Sequence, residues 1–363
     1  MIASNPFAAD LLAWYDKNGV EMPWRGAGNP YHIWLSEIML QQTQIETVTA
    51  YFARFLSAYP DVNTLAAAPL DDVLKLWEGL GYYSRARNLH RSAQQIVSEF
   101  GGQFPQDTDA LQSLPGIGRY TAGAISSIAF GARTPVVDGN VIRVLTRLED
   151  IADDVTRPGT QAKLWNLAEA YLPQNRAGEY NQALMDLGRL ICKPRKPLCD
   201  TCPVRRHCRS YAQGTQLERP VKAARPATPH YDVTAGIIWN TSGALLIAQR
   251  PLDGLLGGLW EFPGGKQEPG ETLETCLRRE LREELDIDVE IGDLFTKVRH
   301  AFTHFKITLH AFTCRYADET QSPKALGVRA WAWVTPEGLD KYSFGKADRM
   351  VIAELKRRPT LLL

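Results

Sequence analysis

The sequence predicts a two-domain protein in which an all-α half precedes an α+β half. Helical periodicity dominates residues 1–210, and no convincing strand pattern occurs there. Residues 211–230 collect prolines, glycines and scattered charges, which is typical of a linker. Beyond them the apolar residues take up a strand-like alternation around one helix. We therefore assign domains at 1–210 and 231–363, and 363 residues suffice for two separate cores.

Each element follows from a local pattern. In the first half we expect helices at 6–18, across 31–59, after Pro69, from Ser84 to the Gly101-Gly102 pair, and at 119–130, 140–149, 160–172 and 180–190. In the second half we expect strands at 233–239, 244–248, 294–302, 305–313 and 328–334, with helices at 271–285 and 346–357.

Composition narrows the class of protein. The chain is 44% hydrophobic and 23% charged, as expected of a globular protein, and no apolar run approaches the length of a membrane span. The N-terminus lacks the basic start and cleavage site of a secretory peptide. Because the net charge is zero, binding to a polyanion requires a local basic patch.

The segment Leu114–Asn140 holds a tight turn and a conspicuous aspartate. Gly116 and Gly118 form a Gly-x-Gly turn between two predicted helices, where backbone N–H groups can bind a phosphate. Asp138 precedes the next helix, between Val137 and the Gly139-Asn140 pair. On this pattern alone, Asp138 could equally be an ordinary helix N-cap and the glycines could merely turn the chain.

A second carboxyl lies in an apolar helix. Six of the eight residues from Ile33 to Leu40 are apolar, so Glu37 should be partly desolvated and its pKa raised, which suits a general acid. The alternative is a glutamate on a polar stripe of the helix. A protonated Glu37 together with an ionised Asp138, held by Asn140 and a helix start, is the pair that glycosidic bond cleavage requires.

Four cysteines form a compact cluster. Cys192, Cys199, Cys202 and Cys208 give the spacing C-x6-C-x2-C-x5-C, which indicates one metal site in the loop 192–208. Four-thiolate zinc is the generic alternative, whereas the wide first gap favours a four-iron cluster. Seven cations accompany one anion, which favours a phosphate backbone as partner over a merely solvated face: Arg189, Lys193, Arg195, Lys196, Arg205, Arg206 and Arg209 against Asp200.

These residues resemble a known family. The hairpin, Asp138 and the cysteine spacing resemble the helix-hairpin-helix DNA glycosylases that carry a [4Fe–4S] cluster. Trp24-Arg25 and the run from Leu35 to Thr43 are similar to the adenine-pocket region of the MutY-type adenine DNA glycosylases. Tyr120 stands where the endonuclease III branch has a Schiff-base lysine, and residues 231–363 resemble the Nudix-like domain of the MutY type.

The resemblance implies a base-excision repair enzyme that hydrolyses the N-glycosidic bond of adenine opposite 8-oxoguanine or guanine in double-stranded DNA. Glu37 would protonate the flipped base and Asp138 would stabilise the sugar cation, with Asn140 and Tyr120 orienting it. Arg25, Gln182 and Trp24 would bind adenine, while Gln42 and Tyr82 would wedge into the duplex. Without a lysine at position 120, a monofunctional glycosylase is expected.

The second half departs from the family in two places. Phe302-Thr303-His304 occupies the 8-oxoguanine-reading loop, with Thr303 in place of the usual Ser. A nearly complete Nudix box runs from Gly265 to Ile287, with Asp286 replacing its late glycine. Glu280, Glu283 and Glu284 would share one helix face and could bind Mg²⁺, in which case the domain would also hydrolyse nucleoside triphosphates. A solvated helix laced by ion pairs is the alternative.

Two rival interpretations remain at this point. In one, the chemistry resides in the Nudix half and the helical half tethers DNA. In the other, the helical half is a zinc-stabilised DNA-binding module without activity. The resemblance further implies a monomer without membrane contact, located at the nucleoid in the cytoplasm if the source is bacterial.

Overall fold

The computed structural model describes residues 5–26, 28–223, 227–316 and 322–358. Two compact units share the chain: the first comprises Met1–Ala67 and Asn88–Arg225, the second Ala68–Arg87 and Pro226–Leu363. Residues 224–226 of the predicted linker lie outside the described ranges. Within those ranges no helix is long and apolar enough to cross a membrane.

Helices build the first unit. They are α1 (Pro6–Asn18), α2 (Pro30–Leu40), α3 (Ile45–Ala58), α4 (Val62–Ala67), α6 (Ser84–Phe100, shared with the second unit), α7 (Thr108–Ser113), α8 (Arg119–Phe130), α9 (Gly139–Leu148), α10 (Pro158–Tyr171), α11 (Ala177–Leu190) and α12 (Arg209–Gln213). Asn5 and Asn29 cap α1 and α2 through their side-chain oxygens, and a proline follows each as the first helical residue. The predicted helices at 6–18 and 119–130 agree closely with α1 and α8, whereas the short helices α4, α7 and α12 were not predicted.

Helix α11 is the central element of this unit. It packs against α1, α8 and α9, while α2 packs against α3 and α8. Its buried Leu184 and Leu187 join Phe7, Val141 and Leu145 in one hydrophobic core. This packing brings the start of α9, where Asp138 lies, next to the middle of α2, where Glu37 lies.

One sequence prediction in this unit is wrong. The helical pattern at 31–59 is not continuous, because the chain leaves α2 after Leu40 and re-enters a helix only at Ile45. Gln42 adopts a left-handed backbone with φ +59°, which a helix cannot contain. Residues 41–44 thus form an irregular segment in the place of one further helical turn.

A mixed sheet forms the core of the second unit. Its strands are β1 (His230–Trp239), β2 (Leu245–Gln249), β3 (Trp260–Glu261), β4 (Val289–Ala301), β5 (Lys306–Tyr316) and β6 (Ala330–Val334). The order is β3-β2-β1-β5-β4, and β6 pairs with β2. Strands β1 and β5 run parallel in the register His230↔Lys306, whereas the other pairs are antiparallel.

Two long helices cover this sheet. Helix α13 (Leu273–Leu285) buries Leu277, Leu281 and Leu285 against one face, and α14 (Lys346–Arg357) buries Val351 and Ile352 against the other. Neighbouring residues of β1 point to opposite faces, with Ile237 in one core and Ile238 in the other, as strand periodicity requires. The α+β prediction is confirmed, although the two-residue β3 was missed.

A short segment from the helical half belongs to this unit. Helix α5 (Leu70–Trp77) is followed by Glu78, whose carboxylate accepts bonds from the Arg349 guanidinium and from the Phe344 N–H. The Arg87 guanidinium donates to the Gly257 carbonyl at 2.7 Å. These bonds attach residues 68–87 to the sheet domain, which the sequence pattern did not indicate.

Candidate active site

A cavity of about 810 Å³ opens in the first unit, between α2, α8, α11 and the start of α9. It brings together most of the residues singled out from the first half of the sequence, which lie up to about 160 positions apart: Trp24, Arg25, Glu37, Gln42, Gly118, Tyr120, Asp138, Asn140 and Gln182. The break between α2 and α3 contributes Gln42 to its rim. A concave site lined by convergent polar groups is the usual form of an enzyme pocket.

Glu37 lies in the wall of this cavity and is 6% exposed. The Tyr120 hydroxyl donates to Glu37 Oε2 at 2.6 Å and lies 3.3 Å from Met185 Sδ. Burial raises the pKa of Glu37 to about 7; the negative charge of Asp138 adds to this rise, and the Tyr120 bond and the Arg25 charge oppose it. A carboxyl with such a pKa is half protonated near neutrality and can give a proton to a leaving group.

Asp138 both caps a helix and lines the cavity. It is the N-cap of α9, since the Val141 N–H donates to Oδ1 at 2.7 Å. Its second oxygen accepts from Asn140 Nδ2 at 2.9 Å and the residue faces the cavity. Burial raises the pKa of Asp138, and the bonds from Val141 and Asn140 oppose that rise. The capping geometry therefore fixes a carboxylate at the cavity wall.

Sequence reasoning missed two buried arginines on α9. Arg143 donates to Asn140 Oδ1 at 2.9 Å and to the Cys192 carbonyl at 2.6 Å. One turn later, Arg147 donates to Cys192 Sγ at 3.2 Å and to the Lys193 carbonyl at 2.8 Å. Two arginines at i and i+4 in the apolar run of α9 were the available signal, because buried cations need partners. The two arginines thus connect Asn140, which donates to Asp138, to the cysteine loop.

The four cysteines line one further cavity of the first unit, together with Arg147 and Tyr211. None of the four is in a disulfide. Among the described residues, no three His, Cys, Asp or Glu side chains stand close enough to hold one metal ion. The four cysteine side chains thus share one cavity.

Fewer cations of the cysteine loop are unpaired than its composition implied. Ion pairs engage Arg205 with Asp200, Arg206 with Asp10, and Arg209 with Glu149. Arg189 pairs with Asp186. Within the described ranges no ion pair engages the remaining three cations, which are Lys193, Arg195 and Lys196. The basic surface of this loop is thus concentrated at 193–196.

The hairpin has the geometry its glycines predicted. Gly116 has φ +77°, a left-handed conformation that side chains disfavour, and the Ile117 N–H donates to the Leu114 carbonyl at 3.1 Å. Gly118 is the N-cap of α8 and lines the cavity, whereas Gly116 packs against Asn88 away from it. The start of α8 therefore presents backbone N–H groups beside Tyr120.

In the second unit, Tyr82 meets the predicted reading loop. Its hydroxyl lies 2.5 Å from Thr303 Oγ1, and its backbone is left-handed with φ +48°. Phe302 stacks on Phe305 with ring centroids 4.7 Å apart, and His304 is exposed at the turn between β4 and β5. The turn thus joins two strands as a hairpin, and Tyr82 and Thr303 form one polar contact on it.

The predicted Nudix box folds as a loop followed by α13. Arg279 pairs with Glu271 at 2.8 Å, Glu280 at 3.0 Å and Glu283 at 3.1 Å. Glu284 differs from its neighbours: its Oε2 is buried without a hydrogen-bond partner, and burial raises its pKa to about 8. The ion-paired alternative thus describes Glu280 and Glu283, whereas Glu284 points into the domain.

Comparison with known proteins adds to this geometry. A family model for the HhH-GPD superfamily base excision DNA repair proteins matches residues 35–170, and one for the NUDIX domain matches residues 234–354. The chain is 36% identical to the adenine DNA glycosylase of Rattus norvegicus over 98% of its own length and 79% of that protein. It is 36% identical to the adenine DNA glycosylase of Homo sapiens over 91% of its length and 70% of that protein.

The chain belongs to the adenine DNA glycosylases. Among solved structures, a thermostable thymine-DNA glycosylase is similar to it with 29% identity and a TM-score of 0.53, covering 57% of this chain and 96% of that one. A non-covalent endonuclease III–DNA complex aligns with a TM-score of 0.50 and 24% identity, over 60% of this chain and 100% of that one, and bears on the fold alone. The predicted glycosylase and Nudix-like folds are both confirmed.

Proposed function

We propose that this family member removes adenine paired with 8-oxoguanine, or with guanine, from double-stranded DNA by hydrolysing the N-glycosidic bond, without cutting the strand. The observation that carries the proposal is a single cavity lined by both Glu37 and Asp138. Burial raises the pKa of Glu37, and the negative charge of Asp138 adds to this rise. The glycosylases of rat and human are named for adenine, which gives the base. The choice of mispair and the hydrolytic reaction are inferred from the side chains of this chain.

In this mechanism the adenine leaves the duplex and enters the cavity, at a cost of a few kcal/mol in lost stacking. Arg25, Gln182 and Trp24 line the space for the base. Glu37 transfers its proton to N7 of the base as the bond from C1′ to N9 breaks and its electron pair goes to the base. The sugar is left as an oxocarbenium-like cation.

Asp138 stabilises that cation with its carboxylate, which Val141 and Asn140 hold in place. Water then adds to C1′ and releases a proton, which gives an abasic site. Tyr120 donates its hydroxyl hydrogen to Glu37 and offers no amine. A covalent imine therefore cannot form at this position, and the enzyme is monofunctional.

The opposite base would be read by the second unit. Tyr82 and Thr303 together present two hydroxyl groups at the turn after β4, where Phe302 stacks on Phe305. Hydroxyls can both donate and accept, so this pair suits the polar edge of 8-oxoguanine. The N–H groups at Gly116 and Gly118 and the cations at 193–196 would bind the phosphate backbone.

We also propose that Cys192, Cys199, Cys202 and Cys208 hold a [4Fe–4S] cluster. Each thiolate in such a cluster binds a different iron, and the four cysteines line one common cavity. A single four-thiolate zinc ion is the alternative, and the metal content of the purified protein distinguishes the two. The bound cluster would crosslink the loop and stiffen its basic surface.

The decisive test uses duplexes containing A:8-oxoguanine, A:G and C:8-oxoguanine, with alkali added to half of each sample. We expect base release from the first two duplexes, faster from the first, and strand breaks only after alkali. No release from A:8-oxoguanine would refute the function. Breaks without alkali would refute the monofunctional mechanism. The resemblance also predicts a monomer, and the molecular mass in solution of the same preparation tests that prediction.

A second candidate function rests on Glu284. Its buried, unpartnered Oε2 beside Glu280 is the feature that favours a Mg²⁺ site and hydrolysis of nucleoside triphosphates. Against it, Arg279 already pairs with Glu280 and Glu283. Incubating the full chain with Mg²⁺ and each nucleoside triphosphate decides the matter, because the absence of released phosphate or pyrophosphate excludes hydrolysis.

A further inference from the structure

Asp186 is a buried carboxylate in the cavity wall that neither the motifs nor the mechanism above uses. It lies on α11, one helical turn after Gln182, and its side chain is 2% exposed. Two arginines donate to it: Arg25 through Nη1 to Oδ2 at 2.6 Å and Nη2 to Oδ1 at 3.2 Å, and Arg189 through Nη2 to Oδ1 at 3.3 Å. All three residues line the cavity.

The two-point contact fixes the direction of Arg25. Its Nη1 also donates to the Val20 carbonyl at 3.0 Å, and its guanidinium lies 6.0 Å from the centre of the Tyr15 ring. Such a bidentate bond restrains both the position and the plane of a guanidinium. Within the described chain, the ion pair of Arg25 is with Asp186 and not with Glu37.

This arrangement matters because of what surrounds Glu37. The ionisable groups that face it are Tyr120 from α8, Asp138 before α9, and Arg25. Of these three, Arg25 alone is a cation. A guanidinium that turned to Glu37 would stabilise the carboxylate and lower the pKa of the acid, by about one or more within contact distance.

We propose that Asp186 is a positioning residue for base excision: it holds Arg25 away from Glu37, so that the acid keeps its proton while the guanidinium faces the base. This inference rests on the proposed function and adds a residue to it. Asp186 touches neither base nor sugar in this scheme. It acts through Arg25, for which it competes with Glu37.

The test is Asp186→Asn, which removes the charge with little change in shape. Adenine release under single-turnover conditions is measured across pH on an A:8-oxoguanine duplex. We expect the alkaline midpoint of the profile to move down by about one pH unit, with about a tenfold loss of rate above it. Asp186→Glu, which restores a carboxylate, should recover the wild-type midpoint.

If Asp186 had only a structural role, its substitution would reduce the rate by the same factor at every pH. An unchanged midpoint in Asp186→Asn would therefore overturn the inference, while the proposed function would remain intact. Because a lone buried Arg25 could unfold the Asn variant, the double variant Asp186→Asn with Arg25→Met is the second test. In the double variant no cation can turn to Glu37. The alkaline midpoint of its pH profile should therefore return to at least the wild-type value. A midpoint that stays low would also overturn the inference.

Discussion

At the scale of single residues, the proposed reaction depends on the protonation of Glu37. Its pKa of about 7 means that the acid form dominates below neutrality and is lost as the pH rises. Asp138 must be ionised, and burial raises its pKa above the ordinary value, so activity should also fall on the acid side. We therefore predict a bell-shaped dependence of the single-turnover rate on pH, with its alkaline midpoint near 7 in the wild type.

Tyr120→Phe provides the matched variant for this profile. The Tyr120 hydroxyl lowers the pKa of Glu37 by donating to it, so its removal should move the alkaline midpoint upward. The maximal rate should fall at the same time, because the carboxyl loses its orientation. A profile that keeps its midpoint in Tyr120→Phe would argue that Glu37 is not the group that titrates.

Much of this residue-scale chemistry could be predicted from the sequence. The burial of Glu37 followed from the apolar residues around it, and the cap at Asp138 followed from its place before a helix. The contacts of Arg25 and Arg143 could not be predicted, because their partners lie 161 and 49 positions away. Pairings over such distances depend on how the helices pack, which local patterns do not contain.

At the scale of elements, the hairpin offers a stability test with an internal control. In Gly116→Ala the new methyl would lie 2.8 Å from Asn88 Cβ, at a backbone φ of +77°. In Gly118→Ala the φ is −88° and nothing lies within 4 Å. We predict that the first substitution destabilises the protein by about 1–3 kcal/mol and the second changes stability little. Equal thermal unfolding midpoints for the two variants would contradict the hairpin geometry.

The turn after β4 gives a second prediction at this scale. If the hydroxyls of Tyr82 and Thr303 act together, Tyr82→Phe and Thr303→Ala should each reduce the preference for A:8-oxoguanine over A:G, and the double variant should lose little more. Thr303→Ser keeps the hydroxyl and serves as the control. Additive losses from the two single substitutions, measured as ratios of release rates, would show that the residues act independently.

Elements were predictable where one periodicity held over ten or more residues, as in α1, α8, α13 and α14. The sequence pattern failed at Gln42, because apolar spacing continued through a break that only the left-handed backbone reveals. It also failed at β3, whose two residues are too short to show alternation. Gln42 and Tyr82 are both non-glycine residues with positive φ, a kind of strain that occurs often at functional sites.

At the scale of the whole molecule, the sequence indicated two folds but not the route of the chain between them. Residues 68–87 read as part of the helical half, yet their partners are Arg349, Phe344 and the carbonyls of the 254–257 loop. Helical periodicity says which face of α5 is buried and nothing about which domain buries it. Only the contacts themselves assign this segment to the second unit.

The cysteine loop supplies a prediction for the assembled protein. Protein purified without oxygen should be brown and contain about four iron atoms per chain. Cys199→Ser should lower the iron content and destabilise the protein, whereas Cys276→Ser, which alters a buried thiol outside the loop, should leave the iron content unchanged. A colourless protein with one zinc per chain would favour the zinc alternative.

If Glu37 delivers the proton that releases adenine, replacing its carboxyl group should stop excision without preventing DNA binding. Glu37→Gln keeps the shape of the side chain and removes its acid, so the variant should bind an A:8-oxoguanine duplex about as tightly as the wild type. It should release no adenine under single-turnover conditions in which the wild type completes the reaction. Persistent excision by the folded variant would contradict the assignment.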